Sequence, residues 1–184
     1  MKPEIQEKAN AFHSINEIAL KGEIVIFGST YMANFPFYEL ANKCHLEHAI
    51  YNRSIDGMTT ADAEELLQSC VLEIEPQKVF LQLGESDQAP EDALQHYETI
   101  LRMIRKTLPS TKVYLIGLPE ETEAAKRFNR GLRDLCDNKH VFSIFFAVGL
   151  LNKMARYTAQ FKQLTRFFRD NPISLTEAFA MAEL

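Results

Sequence analysis

The chain alternates short strand-like runs with helical patterns, and this alternation constrains the fold more than any other feature. The five strand-like runs are residues 23–27, 48–53, 78–83, 112–117 and 140–145. Parallel strands need a long crossover connection, usually a helix, and strands covered on both faces are nearly continuously apolar. The sequence therefore predicts an α/β layered domain with a parallel sheet.

Four segments between or before these runs have helical patterns. They are residues 3–20, 59–74, 90–108 and 121–139. The segment at 59–74 opens with Thr59 and Asp62, the spacing of a helix-capping pair. The segment at 90–108 has Pro90 and acids at its start and basic residues near its end, as the helix dipole favours. No repeat, low-complexity tract or linker divides the chain, so we predict one domain spanning residues 1–184.

The composition excludes several classes of protein. The 184 residues are 46% hydrophobic with a net charge of −5 and no long basic stretch, which argues against a nucleic-acid binder. The longest apolar run, residues 141–151, is shorter than the roughly 20 residues a membrane span needs. The first residues lack the apolar core of a signal peptide. Cys44, Cys70 and Cys136 stand alone, which is typical of reduced thiols, so we predict a cytoplasmic protein.

The segments that follow the strands carry the candidate functional residues. In open parallel sheets the site forms beyond the carboxyl ends of the strands. The segments there read GST at 28–30, NRSIDG at 52–57, GESD at 84–87 and GLPEE at 117–121. They are rich in glycine, hydroxyls and carboxylates, so we expect any chemistry to lie here.

Read together, these segments resemble the SGNH, or GDSL-type, family of esterases and lipases. In that family the first strand ends in Gly-Asp-Ser, whose Ser is the nucleophile, and here it ends in Gly28-Ser29-Thr30. The second block, NRSIDG, is similar to the family's N-R-G-I-x-G block. The resemblance implies that Gly57 donates its backbone N–H to an oxyanion. It also implies a three-layer α/β sandwich with a five-stranded parallel sheet, in the flavodoxin-like arrangement of this family.

Two further blocks extend the resemblance towards the carboxyl terminus. The sequence Gly84-Glu85-Ser86-Asp87 is similar to the family's Gly-x-Asn-Asp, whose Asn is a second oxyanion donor. A weaker similarity covers KRFNRGLRDLC at 126–136. Residues 167–183 resemble the block that carries the catalytic Asp-x-x-His, which implies that Asp170 is the triad Asp. Depending on a one-residue shift, Ile173 or Ser174 then takes the place of the His.

The departures from the family pattern bear directly on catalysis. The nucleophile position holds Thr30, the Asn position holds Ser86, and the C-terminal block has no histidine. A hydroxyl attacks a carbonyl only if a base takes its proton. We therefore predict that Thr30 and Asp170 are degenerate catalytic positions. We expect Ser29, Gly57, Ser86, Asp87 and Ser174 to line what remains of the cleft.

The acids of the cleft have a second interpretation. If the family fold holds, Asp56, Glu85, Asp87 and Asp170 would converge on the mouth, where they could bind Mg²⁺ or an amine. We interpret them instead as ordinary loop acids, with Asp87 bonding backbone amides in its turn. Accordingly we expect neither a metal nor another cofactor.

Three functions remain open from the sequence. The chain could be an SGNH homologue without esterase activity that binds a small molecule or a protein through the former active-site cleft. It could be a working esterase that uses Thr30 or Ser29 with an unrecognised base. It could also be an interaction module that uses the aromatic-rich segment 145–168. Its partner could be a second copy of the chain, which would make a homo-oligomer.

Overall fold

A five-stranded parallel sheet forms the centre of the protein. The structure, a computed structural model, describes residues 1–42, 46–119, 121–146 and 153–170. The strands, in chain order, are β1 (Ile24–Gly28), β2 (Ile50–Asn52), β3 (Lys78–Gln82), β4 (Lys112–Ile116) and β5 (Val141–Ile144). They lie in the order β2-β1-β3-β4-β5, and every neighbouring pair is parallel. All five predicted strands and their parallel pairing are confirmed.

Helices cover both faces of the sheet. They are α1 (Pro3–Ser14), α2 (Thr30–Ala33), α3 (Phe37–Ala41), α4 (Thr60–Cys70), α5 (Pro90–Thr107), α6 (Glu123–Asp134) and α7 (Lys153–Phe168). Short 3₁₀ turns follow α1 and α4, at Asn16–Ile18 and Leu72–Ile74. Successive side chains of a strand point to opposite faces, so each strand contributes to two cores. Val25 and Phe27 pack against α1, α4, α5 and α6, whereas Ile24 and Ile26 pack against α2, α3 and α7. The three-layer α/β arrangement is thereby confirmed.

Helix α7 accounts for the aromatic-rich segment. Its inward residues Tyr157, Phe161 and Phe168 are buried in the core on that face of the sheet, where Phe161 contacts Phe37 edge-on. None of the exposed large hydrophobic side chains lies in the described part of this segment, residues 145–146 and 155–168. Phe145, Phe146 and Phe167 are half-buried, so the described aromatic residues of this segment are core residues or lie at the edge of the core.

The strand order places one crevice at the centre of the carboxyl edge. From β1 the chain moves outwards to β2 and then returns past β1 to β3, so the winding direction reverses between β1 and β3. At such a switch point the following loops diverge and leave a ligand crevice. The register aligns Gly28, at the end of β1, with Gln82, at the end of β3. The loops that begin at Ser29 and Leu83 therefore start side by side.

None of the helices within the described ranges is long and apolar enough to cross a membrane.

Candidate functional site

The tight turn from β1 into α2 is the base of the site. Ser29 precedes the first residue of α2, is fully buried, and donates its N–H to the Gln82 carbonyl at 3.0 Å. A Cβ at Gly28 would lie 2.7 Å from that same carbonyl oxygen and 2.9 Å from Met32 Cβ. Because no side chain fits there, glycine is what allows β1 to pack against β3 at this point. The backbone of the predicted elbow is thus present.

The loop after β3 folds over this turn. The Oγ atoms of Ser29 and Ser86 lie 2.8 Å apart and share a hydrogen bond. One residue earlier, Glu85 Oε1 accepts the Tyr31 N–H of the first turn of α2 at 2.7 Å. Two successive residues of the loop therefore hold two residues of the elbow. The structure brings Ser29 and Ser86 together, and neither is among the residues that line the open cleft described below.

Thr30 and Gly57 meet on the exposed side of the same turn. The Gly57 N–H donates to Thr30 Oγ1 at 3.0 Å, and Gly57 has the positive φ of 71° that favours glycine. Thr30 is exposed, in contrast to the buried Ser29. The N–H that the resemblance assigns to an oxyanion is therefore beside the Thr30 hydroxyl. Both groups could face a ligand from this position.

Asp87 contacts the start of α4. Both of its carboxylate oxygens accept the Thr60 N–H at 3.1 Å, and Oδ1 also accepts the Thr60 hydroxyl at 2.5 Å. Thr59 and Asp62 complete this helix terminus as the predicted capping box. A carboxylate at a helix N-terminus satisfies amides that have no partner within the helix. Asp87 thus ties the loop after β3 to α4.

The expected position of Asp170 is corrected by the structure. Because α7 runs back from the carboxyl edge to the amino edge of the sheet, Asp170 lies beside Lys78, the first residue of β3. Its carboxylate is 2.7 Å from Lys78 Nζ and 2.8 Å from His48 Nε2. These two bonds lower the pKa of Asp170. Asp170 is therefore at the opposite edge from Thr30, and Ser174 lies outside the described residues.

The four acids predicted to converge on the mouth do not all meet there, although Asp56 lies close enough to Glu85 to raise its pKa. Asp170 is at the far edge, and Asp87 bonds Thr60. Within the described ranges, the group that could hold a metal is Glu47, His48 and Asp170, whose ligand atoms lie within 4.8 Å of one another. The Lys78 ammonium already bonds Asp170 there, so a cation is present without a metal.

The four described histidines all lie next to carboxylates outside the elbow. None of them bonds Ser29 or Thr30. The distances from ring nitrogen to carboxylate oxygen are 2.7 Å for His13–Glu73, 2.8 Å for His48–Asp170, 2.7 Å for His96–Glu64 and 3.7 Å for His140–Asp137. The fifth, His45, lies outside the described residues.

An open cleft of about 360 Å³ adjoins the elbow. It is lined by Thr30, Tyr31, Asn34, Glu85, Arg156 and Tyr157. Burial raises the pKa of Glu85, and the nearby Asp56 raises it further. The cleft therefore combines a hydroxyl, a carboxylate and a guanidinium. Arg156 was not predicted, because the sequence offered no pattern that placed α7 beside the elbow.

No protein-family model and no curated protein sequence matches this chain. Solved structures do resemble it. A Streptococcus pneumoniae protein described provisionally as a platelet activating factor aligns with a TM-score of 0.76 at 20% identity, covering 90% of this chain and 93% of that one. A GDSL-like lipase from Bacteroides thetaiotaomicron aligns with a TM-score of 0.60 at 12% identity, covering 95% of this chain and 93% of that one. The psychrotrophic esterase EstA from Pseudoalteromonas sp. aligns with a TM-score of 0.59 at 14% identity, covering 89% of this chain and 97% of that one. The chain has the fold of the SGNH, or GDSL-like, hydrolases.

Proposed function

We propose that this chain is an SGNH-fold protein that has lost esterase activity and binds a small ligand in the former active-site cleft. The observation that carries the proposal is the surroundings of Thr30. Its hydroxyl accepts the Gly57 N–H, and no histidine of the described ranges bonds it or Ser29. A hydroxyl in this setting has one oxyanion-type donor beside it, the Gly57 N–H, and no imidazole from the described residues to take its proton.

The path of the chain at the carboxyl edge supports the absence of a base. At this edge β5 ends and α7 begins. Residues 145–152 read FFAVGLLN and contain neither a histidine nor a carboxylate. The sequence between β5 and α7 therefore contains no histidine or carboxylate that could be the base. A general base typically contributes about 10²–10⁴-fold to such a reaction.

The residues at the two other altered positions point the same way. Thr30 has an extra methyl group on Cβ, which restricts the rotation of its side chain in the tight turn. Ser86 bonds Ser29 and is shorter than the Asn that donates to the oxyanion in the family pattern. Loss of one oxyanion donor costs about 10²–10³ in rate in other hydrolases. Such losses do not simply multiply, yet each removes part of the same machinery.

A second candidate function is a working esterase in which Glu85 is the base. The observation that favours it is that Glu85 and Thr30 line the same cleft and that burial raises the pKa of Glu85. A carboxylate with a raised pKa is a better base than an ordinary one. Against it, Glu85 Oε1 already accepts the Tyr31 N–H.

Labelling with a fluorophosphonate probe tests both candidates. The probe reacts with hydroxyls that are activated for attack, and intact mass reports the stoichiometry. We expect no labelling of the wild type under conditions that fully label a serine esterase run in parallel, with circular dichroism showing that the protein is folded. Stoichiometric labelling that is lost in Thr30→Ala or Ser29→Ala would contradict the proposal. If labelling of the wild type were also lost in Glu85→Gln, that loss would identify Glu85 as the base.

A further inference from the structure

A small, mainly apolar cavity lies next to the open cleft. It measures about 30 Å³, and Tyr31 and Arg156 line both spaces. The other walls of the small cavity are Gln82, the turn Ile116–Pro119 after β4, Phe146 and Gln160. Arg156 and Gln160 are four residues apart on α7, so they lie on the same face of that helix. The two spaces together form a cleft with a narrow apolar end.

Two polar atoms at this narrow end are buried without a hydrogen-bond partner. Gln82 is only 2% exposed, and its Oε1 atom accepts no hydrogen bond. The Nε atom of Arg156 is also buried without an acceptor, and Arg156 forms no salt bridge among the described residues. Buried polar groups in native proteins nearly always have hydrogen-bond partners, and leaving such a hydrogen bond unmade costs free energy. One unsatisfied acceptor and one unsatisfied cationic donor therefore belong to side chains that line the same cavity.

The charges around the cleft define what could satisfy both atoms. A guanidinium pairs best with a carboxylate or a phosphate, which accept its N–H groups. Glu85 lines the same cleft, and Asp56 lies close enough to Glu85 to raise its pKa. A doubly charged phosphate would meet this negative potential, whereas a single carboxylate would be balanced by Arg156. A monocarboxylate fits the local charge better.

The unpartnered Gln82 Oε1 adds a second requirement. It needs a hydrogen-bond donor, which a simple carboxylate does not have. The Gln160 Oε1 accepts the Tyr31 hydroxyl, so the Nε2 of that amide is the group that could donate to an anion. The cavity of about 30 Å³ has room for about two water-sized groups. The narrow end therefore holds only two small groups of a ligand, and the rest of the ligand lies in the open cleft, which Arg156 also lines.

We propose that the open cleft and its narrow end together bind a small monocarboxylate that carries a hydrogen-bond donor on the neighbouring carbon, as in a 2-hydroxy acid or a 2-amino acid. The carboxylate pairs with Arg156, and the hydroxyl or ammonium donates to Gln82 Oε1. A short alkyl group contacts the apolar walls formed by Leu118 and Phe146. This inference rests on the proposed function, because it names the ligand class of the same cleft.

Isothermal titration with lactate, alanine, propionate and inorganic phosphate tests the proposal. We expect lactate or alanine to bind with a dissociation constant of the order of 1 mM or below. Propionate has the same carboxylate and alkyl group without the donor, and we expect it to bind about threefold to tenfold more weakly. Preference for lactate identifies a hydroxy acid, and preference for alanine identifies an amino acid.

Two variants separate the roles of the polar atoms. Arg156→Gln removes the cation, and we expect affinity for every carboxylate to fall at least about tenfold. Gln82→Leu removes the acceptor, and we expect it to abolish the difference between lactate and propionate. Arg166→Gln is the matched control, since Arg166 is exposed on the same helix and we expect it to leave binding unchanged. If Gln82→Leu does not fold, Gln82→Met provides the same comparison.

Several results would overturn the inference. The first is that no carboxylate binds at a ligand concentration of about 10 mM. The second is that phosphate binds more strongly than any carboxylate. The others are that the wild type binds lactate and propionate equally, or that Arg156→Gln leaves the affinity for carboxylates unchanged. The first would mean that ordered water alone satisfies Gln82 and Arg156. Fluorophosphonate labelling of the same samples reports separately on the proposed function. A labelled protein that binds lactate contradicts only the loss of esterase activity, and an unlabelled protein that binds no carboxylate contradicts only the ligand class.

Discussion

Ser29 Oγ and Ser86 Oγ lie 2.8 Å apart and join the turn after β1 to the loop after β3. Ser29 is fully buried, so its hydroxyl has few alternatives to Ser86 as a partner. Each hydroxyl has one proton, and only one of the two can donate within the pair. The bond therefore serves the structure of the two loops, and it directs the Ser86 side chain towards the interior.

A double-mutant cycle on these two residues tests that structural role. We expect Ser29→Ala and Ser86→Ala each to lower the free energy of unfolding by about 0.5–1.5 kcal/mol, because each leaves the other hydroxyl without its partner. The double variant should cost less than the sum, with a coupling of about 0.5–1.5 kcal/mol. Urea unfolding measures the change in the free energy of unfolding for the two single variants and for the double variant. Ser110→Ala, at an exposed position, is the control. Strict additivity would show that the two hydroxyls do not interact.

Asp87 is expected to stabilise the start of α4. Its carboxylate accepts both the N–H and the hydroxyl of Thr60. Asp87→Ala should therefore lower the free energy of unfolding by about 1–2 kcal/mol, the usual cost of losing a helix cap. Chemical denaturation is the measurement, and Asp134→Ala, at an exposed position, is the control. A value for Asp87→Ala no larger than that for the control would show that this contact contributes nothing.

The sequence predicted the sheet well because its signals are local. Each strand is a short apolar run, and the crossover rule then fixes parallel pairing without any knowledge of contacts. The capping pair Thr59 and Asp62 was equally readable, since both partners lie within one helical turn. The elbow was found because a strand-like run ends in Gly28-Ser29-Thr30, which resembles the family's Gly-Asp-Ser. The structure adds the reason for the glycine, since a Cβ there would lie 2.7 Å from the Gln82 carbonyl oxygen.

The parts that were not predicted depend on the path of α7. That helix runs from the carboxyl to the amino edge, which takes Asp170 to Lys78 and leaves Arg156 beside the elbow. Nothing in the local pattern of residues 145–168 fixes this direction. The similarity of the C-terminal block to a catalytic Asp-x-x-His therefore placed Asp170 at the wrong edge of the sheet.

The ion pair of Asp170 with Lys78 predicts a pH-dependent contribution to stability. Lys78 is buried, and its Nζ bonds Asp170 as well as the carbonyls of Phe168 and Arg169. Since the Asp170 pKa is lowered in the folded protein, its contribution is complete above the unfolded pKa of about 3.9 and is lost as the pH falls through the folded pKa. The Asp170 carboxylate is 46% exposed, so solvent weakens the pair.

We therefore expect Asp170→Asn to destabilise the protein by about 1 kcal/mol at neutral pH. The difference from the wild type should shrink below about pH 4. Urea unfolding at a series of pH values measures it, with Asp134→Asn as the exposed control. A difference that persists at low pH would show that the variant acts through something other than the carboxylate charge.

Gly84 is the residue where the loop after β3 is least tolerant of a side chain. Its φ is +105°, and a Cβ there would lie 2.6 Å from Cζ of the buried Phe128. Gly84→Ala combines backbone strain with overpacking, so we expect it to cost at least about 2 kcal/mol in the free energy of unfolding. Gly22→Ala separates the two causes, because Gly22 has a φ of +78° with no atom within 4 Å of the added Cβ. That control should cost about 1 kcal/mol.

In a Phe128→Leu background the additional cost of Gly84→Ala should fall, because the smaller side chain leaves room for the methyl group. Equal costs at Gly84 and Gly22 would mean that the Phe128 ring moves aside freely and that backbone conformation alone selects glycine in this loop.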